Sequence, residues 1–242
     1  MEKKVLLFSG GFDSMLQEWL IKPDVLLYVD MKTSYSAREI EALQKLPKRY
    51  LDRLVIKELP LGEYERENKY LPYRNLMLAT IAMQYGQHVY LGFNAEDDAP
   101  DKDYKFIYRL NYMFDHLNEN CMADMGWDTS EFSFEAPFRK LSKTDMVKKC
   151  LDAGMPVSLI QNIRTCYDGK SEKGCGVCGP CIHKAVALIN NGIYDPKLFD
   201  EPITAEYLES RVQYGKENKG YYKAKYLFDL AKAAKKLRKL QE

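Results

Sequence analysis

Ser9-Gly10-Gly11-Phe12-Asp13-Ser14 is the first stretch of this 242-residue sequence with the residue types for phosphate chemistry. It follows the apolar run Val5 to Phe8 and leads into a helical pattern that begins near Asp13. Binding a phosphate needs backbone N–H groups converging on one point. Glycines let the chain come close, and a helix N-terminus adds favourable partial charge. Ser9 and Ser14 add hydroxyl donors. Asp13 would repel a phosphate, so its natural use is to hold Mg²⁺ or to cap the helix. The Gly-Lys-Ser/Thr ending of a Walker A loop is absent. By itself, a double glycine after a strand is equally what a tight strand-to-helix turn needs.

The second signal is Cys166, Cys175, Cys178 and Cys181, spaced C-x8-C-x2-C-x2-C, with Gly174, Gly176 and Gly179 among them. Two-residue spacings let thiolates converge on one ion. Four thiolates complete a tetrahedral Zn²⁺ site with no open position, which predicts a structural metal. An iron–sulfur cluster is the competing reading, and free thiols in a loop are the third. Cys121 and Cys150 stand alone and read as small buried hydrophobes. His88, His116 and His183 show no pairing in the sequence and read as structural. No Ser–His–Asp or Cys–His nucleophile set is visible.

The elements that must hold these groups alternate. Strand-like runs fall at Val25 to Val29, Leu54 to Ile56, His88 to Leu91 and Phe132 to Glu135. Helical spacing falls at residues 36–45, 75–85, 102–118 and 143–153. This pattern predicts an α/β fold, a parallel twisted sheet with helices on both faces. Ligands then bind beyond the carboxyl ends of the strands, where Ser9, Asp30 and Asn94 fall. The expected division is a nucleotide-binding domain over 1–165 and a zinc-binding helical region over 166–242, with helices near 181–191 and 220–241. A chain 46% apolar and 29% charged can bury a sizeable core without needing a metal merely to fold. A net charge of +1 excludes a chain built as a whole to coat nucleic acid or an anionic membrane. There is no apolar run of transmembrane length and no leader pattern after Met1, so the expected location is cytoplasmic. From Lys216 onward nine Lys or Arg face three Asp or Glu. That predicts a solvated helix burying Tyr226, Leu230, Ala234 and Leu237, with a nucleic-acid or subunit contact left open.

The SGGFDS string after the first strand resembles the SGGxDS signature of the PP-loop ATP pyrophosphatases. Together with the cysteine set it resembles the 7-cyano-7-deazaguanine synthase family within that superfamily. Tyr73-Arg74-Asn75-Leu76 resembles the family's GRN segment, and Gly92 to Asp97 with Pro100-Asp101 its GVNxxDxxxYPD region. Pro137-Phe138 with Leu141-Ser142-Lys143, and Thr165-Cys166-Tyr167, are similar to two further segments. The resemblance spans residues 4 to about 185. There are departures. Tyr35-Ser36-Ala37-Arg38 stands where the family has a Tyr-Gly-Gln-Arg stretch, Tyr73 replaces a glycine, and the loop from Asn94 to Asp101 is shorter. The C-terminal tail has no counterpart.

The resemblance implies a ligase that converts 7-carboxy-7-deazaguanine with ammonia to the nitrile through an amide, consuming two ATP per product. It implies that Phe8, Ser9, Gly10, Gly11, Phe12, Asp13 and Ser14, with Arg74 and Asn75, hold ATP. Ser9, Asp13, Ser14 and Lys143 would act on the phosphates with Mg²⁺. Arg74, Asn94, Glu96, Asp97 and Asp101 would bind substrate, and the cysteines Zn²⁺. Simpler roles stand beside these: a helix-start lysine, a salt-bridged arginine and a solvated acidic loop. A homodimer is expected. The rival activities are amide formation alone, transfer of the activated deazaguanine to a protein or nucleic acid, and a tRNA-thiolating PP-loop enzyme. A non-catalytic zinc-stabilised nucleic-acid binder is the rival from another class.

Overall fold

The computed structural model describes residues 2–97, 99–118, 132–166 and 173–241; Cys121 and Tyr167 lie outside them. Five strands, β1 (Lys4–Leu7), β2 (Val25–Asp30), β3 (Leu54–Glu58), β4 (His88–Tyr90) and β5 (Ser133–Glu135), form one sheet in the order β3-β2-β1-β4-β5. Every pairing is parallel, with Val5 opposite Val25 and Val89. Parallel neighbours cannot be joined by a hairpin, so each connection contains helix. The connections are α1 (Phe12–Ile21), α2 (Ser36–Gln44) with α3 (Lys48–Leu51), α4 (Arg74–Ala82), and α5 (Tyr104–Leu117). The strand order reverses between β1 and β4, the kind of crevice where open α/β sheets bind ligands.

The chain divides into two compact units. The first, Met1–Ser9 with Lys22–Phe93 and Asp98–Pro137, contains the sheet. Side chains alternate across a pleated strand, and both faces are apolar. Val5, Leu27, Val29 and Val89 form a core with Ala79 and Ala82 of α4 and with Ile107, Leu110 and Phe114 of α5. On the other parity, the hydroxyl of Tyr28 donates to Glu39 of α2 at 2.8 Å, and Phe8 stacks on Tyr50 of α3. Helices on both faces of a parallel sheet are thus present within this unit.

The second unit comprises Gly10–Ile21, Asn94–Asp97 and Phe138–Glu242, and the expected boundary between 165 and 166 lies inside it. It holds α1, α6 (Lys143–Asp152), α7 (Val157–Asn162), α8 (Gly179–Asn190), α9 (Ala205–Glu217) and α10 (Ala224–Gln241). Cys150 of α6 is fully buried, donates to Leu16 O of α1 at 3.4 Å, and has its thiol pushed up to about 12 by burial. It behaves as the small hydrophobe expected. On α10, Tyr226, Leu230, Ala234 and Leu237 are all buried against α8 and Leu208 of α9, the face the spacing predicts. No helix among the described residues is long and apolar enough to cross a membrane.

Candidate functional site

The chain leaves β1 at Leu7 and enters α1 at Phe12, and Gly10, at φ 71°, makes the turn in the left-handed region that suits glycine. The buried Ser14 hydroxyl donates to Gly11 O at 3.1 Å. Asp13 lies inside α1 rather than at its cap. Its Oδ2 accepts from Lys143 Nζ at 2.9 Å, while its Oδ1 is buried without a hydrogen-bond partner.

Lys143 is the first residue of α6, behind a capping box. Ser142 Oγ accepts from Asp145 N at 3.3 Å, and Asp145 Oδ2 accepts from Ser142 N at 3.1 Å. Lys143 N donates to Glu96 Oε1 at 2.7 Å, and Nζ lies 3.8 Å from Glu96 Oε2. Burial works against the ammonium, yet the carboxylates of Asp13 and Glu96 outweigh it and hold Lys143 protonated above the ordinary lysine range.

Asn94 to Asp97 form a tight turn. Asn94 Oδ1 accepts from Glu96 N at 2.8 Å, and Asp97 Oδ2 accepts from Asn94 N at 2.9 Å. Ala95 N donates to Leu141 O at 2.9 Å, tying this turn to the approach to α6. The Glu96 side chain is 4% exposed, and its Oε2 accepts from His183 Nδ1 at 2.5 Å. The His183 ring lies flat on Tyr226, centroids 3.9 Å apart and planes 3° apart. His183 therefore has a specific partner, 87 residues away in sequence, which no local spacing reveals. Lys184 was also missed: its Nζ donates to Gln161 O and Ile163 O at 2.6 and 2.7 Å, and burial brings it down to about 8. It ties α8 to the segment that leads into Cys166.

Burial alone would raise Glu96, but the hydrogen bond from His183 and the charge of Lys143 hold its carboxyl below the ordinary value of 4.5. A carboxyl depressed in the folded state stabilises fully above its unfolded value. That contribution is lost as pH falls through the lower folded value. Glu96→Gln should therefore flatten the acid limb of a stability–pH curve below about pH 4.5, as read by urea unfolding at several pH values. An unchanged slope would remove Glu96 from the linkage.

The four cysteine sulfurs lie within 4.8 Å of one another, a group able to hold a metal ion. Backbone N–H groups of Cys175 and Cys178 donate to Cys166 Sγ and Cys175 Sγ at 3.4 and 3.3 Å. Gly176, at φ 81°, leaves no room for a Cβ, which would sit 1.8 Å from Glu201 O.

In the first unit, Phe8 is buried in its stack with Tyr50, and Ser9 follows it. Arg74 opens α4 and donates from Nη1 to the Tyr35 hydroxyl at 3.0 Å. Asn75 Nδ2 donates to Asp101 Oδ2 at 2.9 Å, and Asp101 Oδ1 is buried without a hydrogen-bond partner. Tyr73, standing where the resembled family has glycine, sits at φ 58° with its side chain 73% exposed. The left-handed region costs a non-glycine residue about 1–2 kcal/mol, partly offset by the extra unfolded-state freedom of glycine. Tyr73→Gly should raise the unfolding midpoint by about 1–4 °C, measured by circular dichroism. A lower midpoint would mean that the tyrosine ring contributes more than its backbone strain costs.

Comparison with known proteins identifies the family. A family profile described as "Queuosine biosynthesis protein QueC" matches residues 52–192, more than half of the chain. The "7-cyano-7-deazaguanine synthase" of Methanosphaerula palustris is 31% identical over 145 residues, covering 57% of this chain and 60% of that protein. "7-Cyano-7-deazaguanine synthase 1" of Colwellia psychrerythraea is 26% identical over 226 residues, covering 81% of this chain and 97% of the relative. The synthase of Methanoregula boonei is 28% identical over 234 residues, covering 80% and 97%. The matched region includes Arg74, the 94–97 turn, Lys143, His183 and all four clustered cysteines. The chain belongs to the QueC family of queuosine-biosynthesis proteins.

Proposed function

We propose that this chain activates 7-carboxy-7-deazaguanine with ATP, releasing pyrophosphate. Ammonia then displaces AMP to give the amide, and a second activation gives 7-cyano-7-deazaguanine. The observation that carries the reading is the contact of Lys143 with Asp13 at the first turn of α1. It sets a cation held in its protonated form beside a glycine turn and a helix N-terminus. Family membership and the names of the relatives support the substrate.

A carboxylate is a poor acceptor for an amine because its leaving group is oxide; adenylation replaces oxide with AMP. The residues then contribute position and charge rather than covalent chemistry. In this reading Ser9, Gly10, Gly11 and Ser14 hold the departing pyrophosphate with N–H and hydroxyl donors, between Phe8 and Phe12. Lys143 balances the charge that develops on it. The buried, unpartnered Oδ1 of Asp13 suits Mg²⁺, which when bound neutralises phosphate charge. Arg74 and Asn75 are assigned to an anionic group. Asn94, Asp97 and Asp101 are assigned to the polar edge of the base. Glu96 has both oxygens engaged by Lys143 and His183, so it supports Lys143 as much as it binds substrate. The thiolates fit zinc: Zn–S bonds of about 2.3 Å in a tetrahedron set sulfurs about 3.8 Å apart, against 4.0 Å between Cys175 and Cys181. Such an ion is structural. A cytoplasmic homodimer completes the proposal, and light scattering reads the dimer.

The test is incubation with Mg-ATP, an ammonium salt and 7-carboxy-7-deazaguanine, following AMP and the base by mass spectrometry. Nitrile with about two AMP per product supports the reading. Accumulation of amide alone would mean that the second activation is absent. AMP formed only with another acid or with tRNA would keep the chemistry and discard the substrate. No AMP under any condition would sink the proposal.

A further inference from the structure

The family match ends at residue 192, so α9 and α10 lie beyond it. Helix α10 buries an apolar face, but three residues in its first two turns do something else. Asp229, 2% exposed, accepts from Ser142 Oγ at 2.5 Å. Lys225 Nζ lies 3.5 Å from Asp229 Oδ1 and 3.2 Å from Asp145 Oδ2. Ser142 and Asp145 are the two halves of the capping box that starts α6, and the residue after Ser142 is Lys143. Tyr226 lies flat against His183, which holds Glu96, which in turn receives Lys143 N. Helix α10 thus reaches Lys143 by two routes, through the cap and through the His183–Glu96 pair.

We propose that α10 is a positioning element for the phosphate-facing lysine: Asp229 fixes the helix cap beneath Lys143, and Tyr226 fixes the imidazole that aims Glu96 at it. This rests on the reading of Lys143 given above. Packing alone would be served by leucine at position 229, since a buried carboxylate is costly unless it is hydrogen-bonded. The Ser142 hydroxyl has one hydrogen. It is nearer to Asp229 Oδ2, at 2.5 Å, than to Asp145 Oδ2, at 3.1 Å. A charge-assisted bond to Asp229 therefore sets the rotor and leaves Ser142 Oγ able to accept from Asp145 N. Lysine has a long, flexible stem, so its Nζ is fixed only as well as its carboxylate partners are. A displacement of about 1 Å is enough to lower turnover by about 100-fold.

The test compares Tyr226→Leu and Asp229→Leu with Arg238→Ala, which removes the ion pairs of α10 with Glu206 and Glu209 of α9. Three quantities are read: kcat and KM for ATP in AMP formation, the unfolding midpoint, and the rate of acylation of Lys143 Nζ by an amine-reactive ester. The acylation rate is followed by peptide mass spectrometry and needs no turnover. The two leucine variants should lower kcat about 10- to 100-fold with a smaller change in KM, and acylate Lys143 at least about fivefold faster. Tyr226→Phe and Asp229→Asn, which keep the ring and the acceptor, should recover most of the loss. Arg238→Ala should move neither kcat nor acylation, even where its midpoint falls as far. If both leucine variants lose stability yet keep kcat and acylation within about twofold of the parent, α10 is only a packing helix. Should the parent form no AMP from any acid, the proposed function fails, and the acylation rates still decide whether α10 holds Lys143.

Discussion

Cys181→Ser should cost the protein its metal and much of its stability. The Cys181 side chain is fully buried in the first turn of α8, whose Ile182, Ala185, Val186 and Ile189 form the core shared with α10. Three cysteines cannot complete a tetrahedron of thiolates. Structural zinc binds zinc-finger peptides with about 10–16 kcal/mol, which in those domains is folding free energy. Even a third of that, lost here, would lower the midpoint by about 10 °C or more. Metal analysis should give about one zinc per chain in the parent and almost none in the variant, alongside the fall in midpoint. Iron with a visible chromophore would replace zinc by a cluster. A variant with full metal content and an unchanged midpoint would show that the cysteines are not the site.

The second large effect is expected at Lys143. Lys143→Met should lower AMP formation by about 100- to 1,000-fold, the scale on which removing one preorganised charge-stabilising donor acts. The variant also leaves Asp13 and Glu96 facing an apolar group, and removing one member of a partly buried ion pair costs about 3–5 kcal/mol. Loss of activity could then reflect unfolding. Circular dichroism of the variant at the assay temperature separates the two, since turnover lost while the fold remains is not unfolding. A folded variant that turns over within about threefold of the parent would take Lys143 out of the reaction.

What was legible in the sequence was local. The turn at Gly10 is announced by residues within six positions of one another, and the metal group by two C-x2-C steps. The sheet follows from apolar runs of strand length alternating with helical periodicity. The buried face of α10 follows from Tyr226, Leu230, Ala234 and Leu237 recurring at helical spacing. The short helices α3 and α7 were not anticipated: four and six residues are too few to establish a period. In α9 only Ala205, Leu208 and Gly215 are buried, and two of these are too small to mark an apolar stripe. The Glu96–His183 bond and the Ser142–Asp229 bond were equally hidden. Each joins residues 87 positions apart, and nothing in the types alone says which acid meets which donor. The division into units was hidden for the same reason, because it follows contacts rather than chain order.

That interleaving has a consequence for the newborn chain. The partners of α1 arrive late: Lys143 is 130 residues after Asp13, and Cys150 and Ala153 are each 134 residues after their partners Leu16 and Trp19. At about 5–20 residues per second, a ribosome delivers them on the order of 10 s after α1 itself. During that interval Leu16, fully buried in the finished protein, lacks the α6 residue that bonds to it, and the apolar face of α1 is exposed to chaperones. An unfinished polypeptide therefore has the glycine turn and Asp13 long before it has the lysine that pairs with that carboxylate.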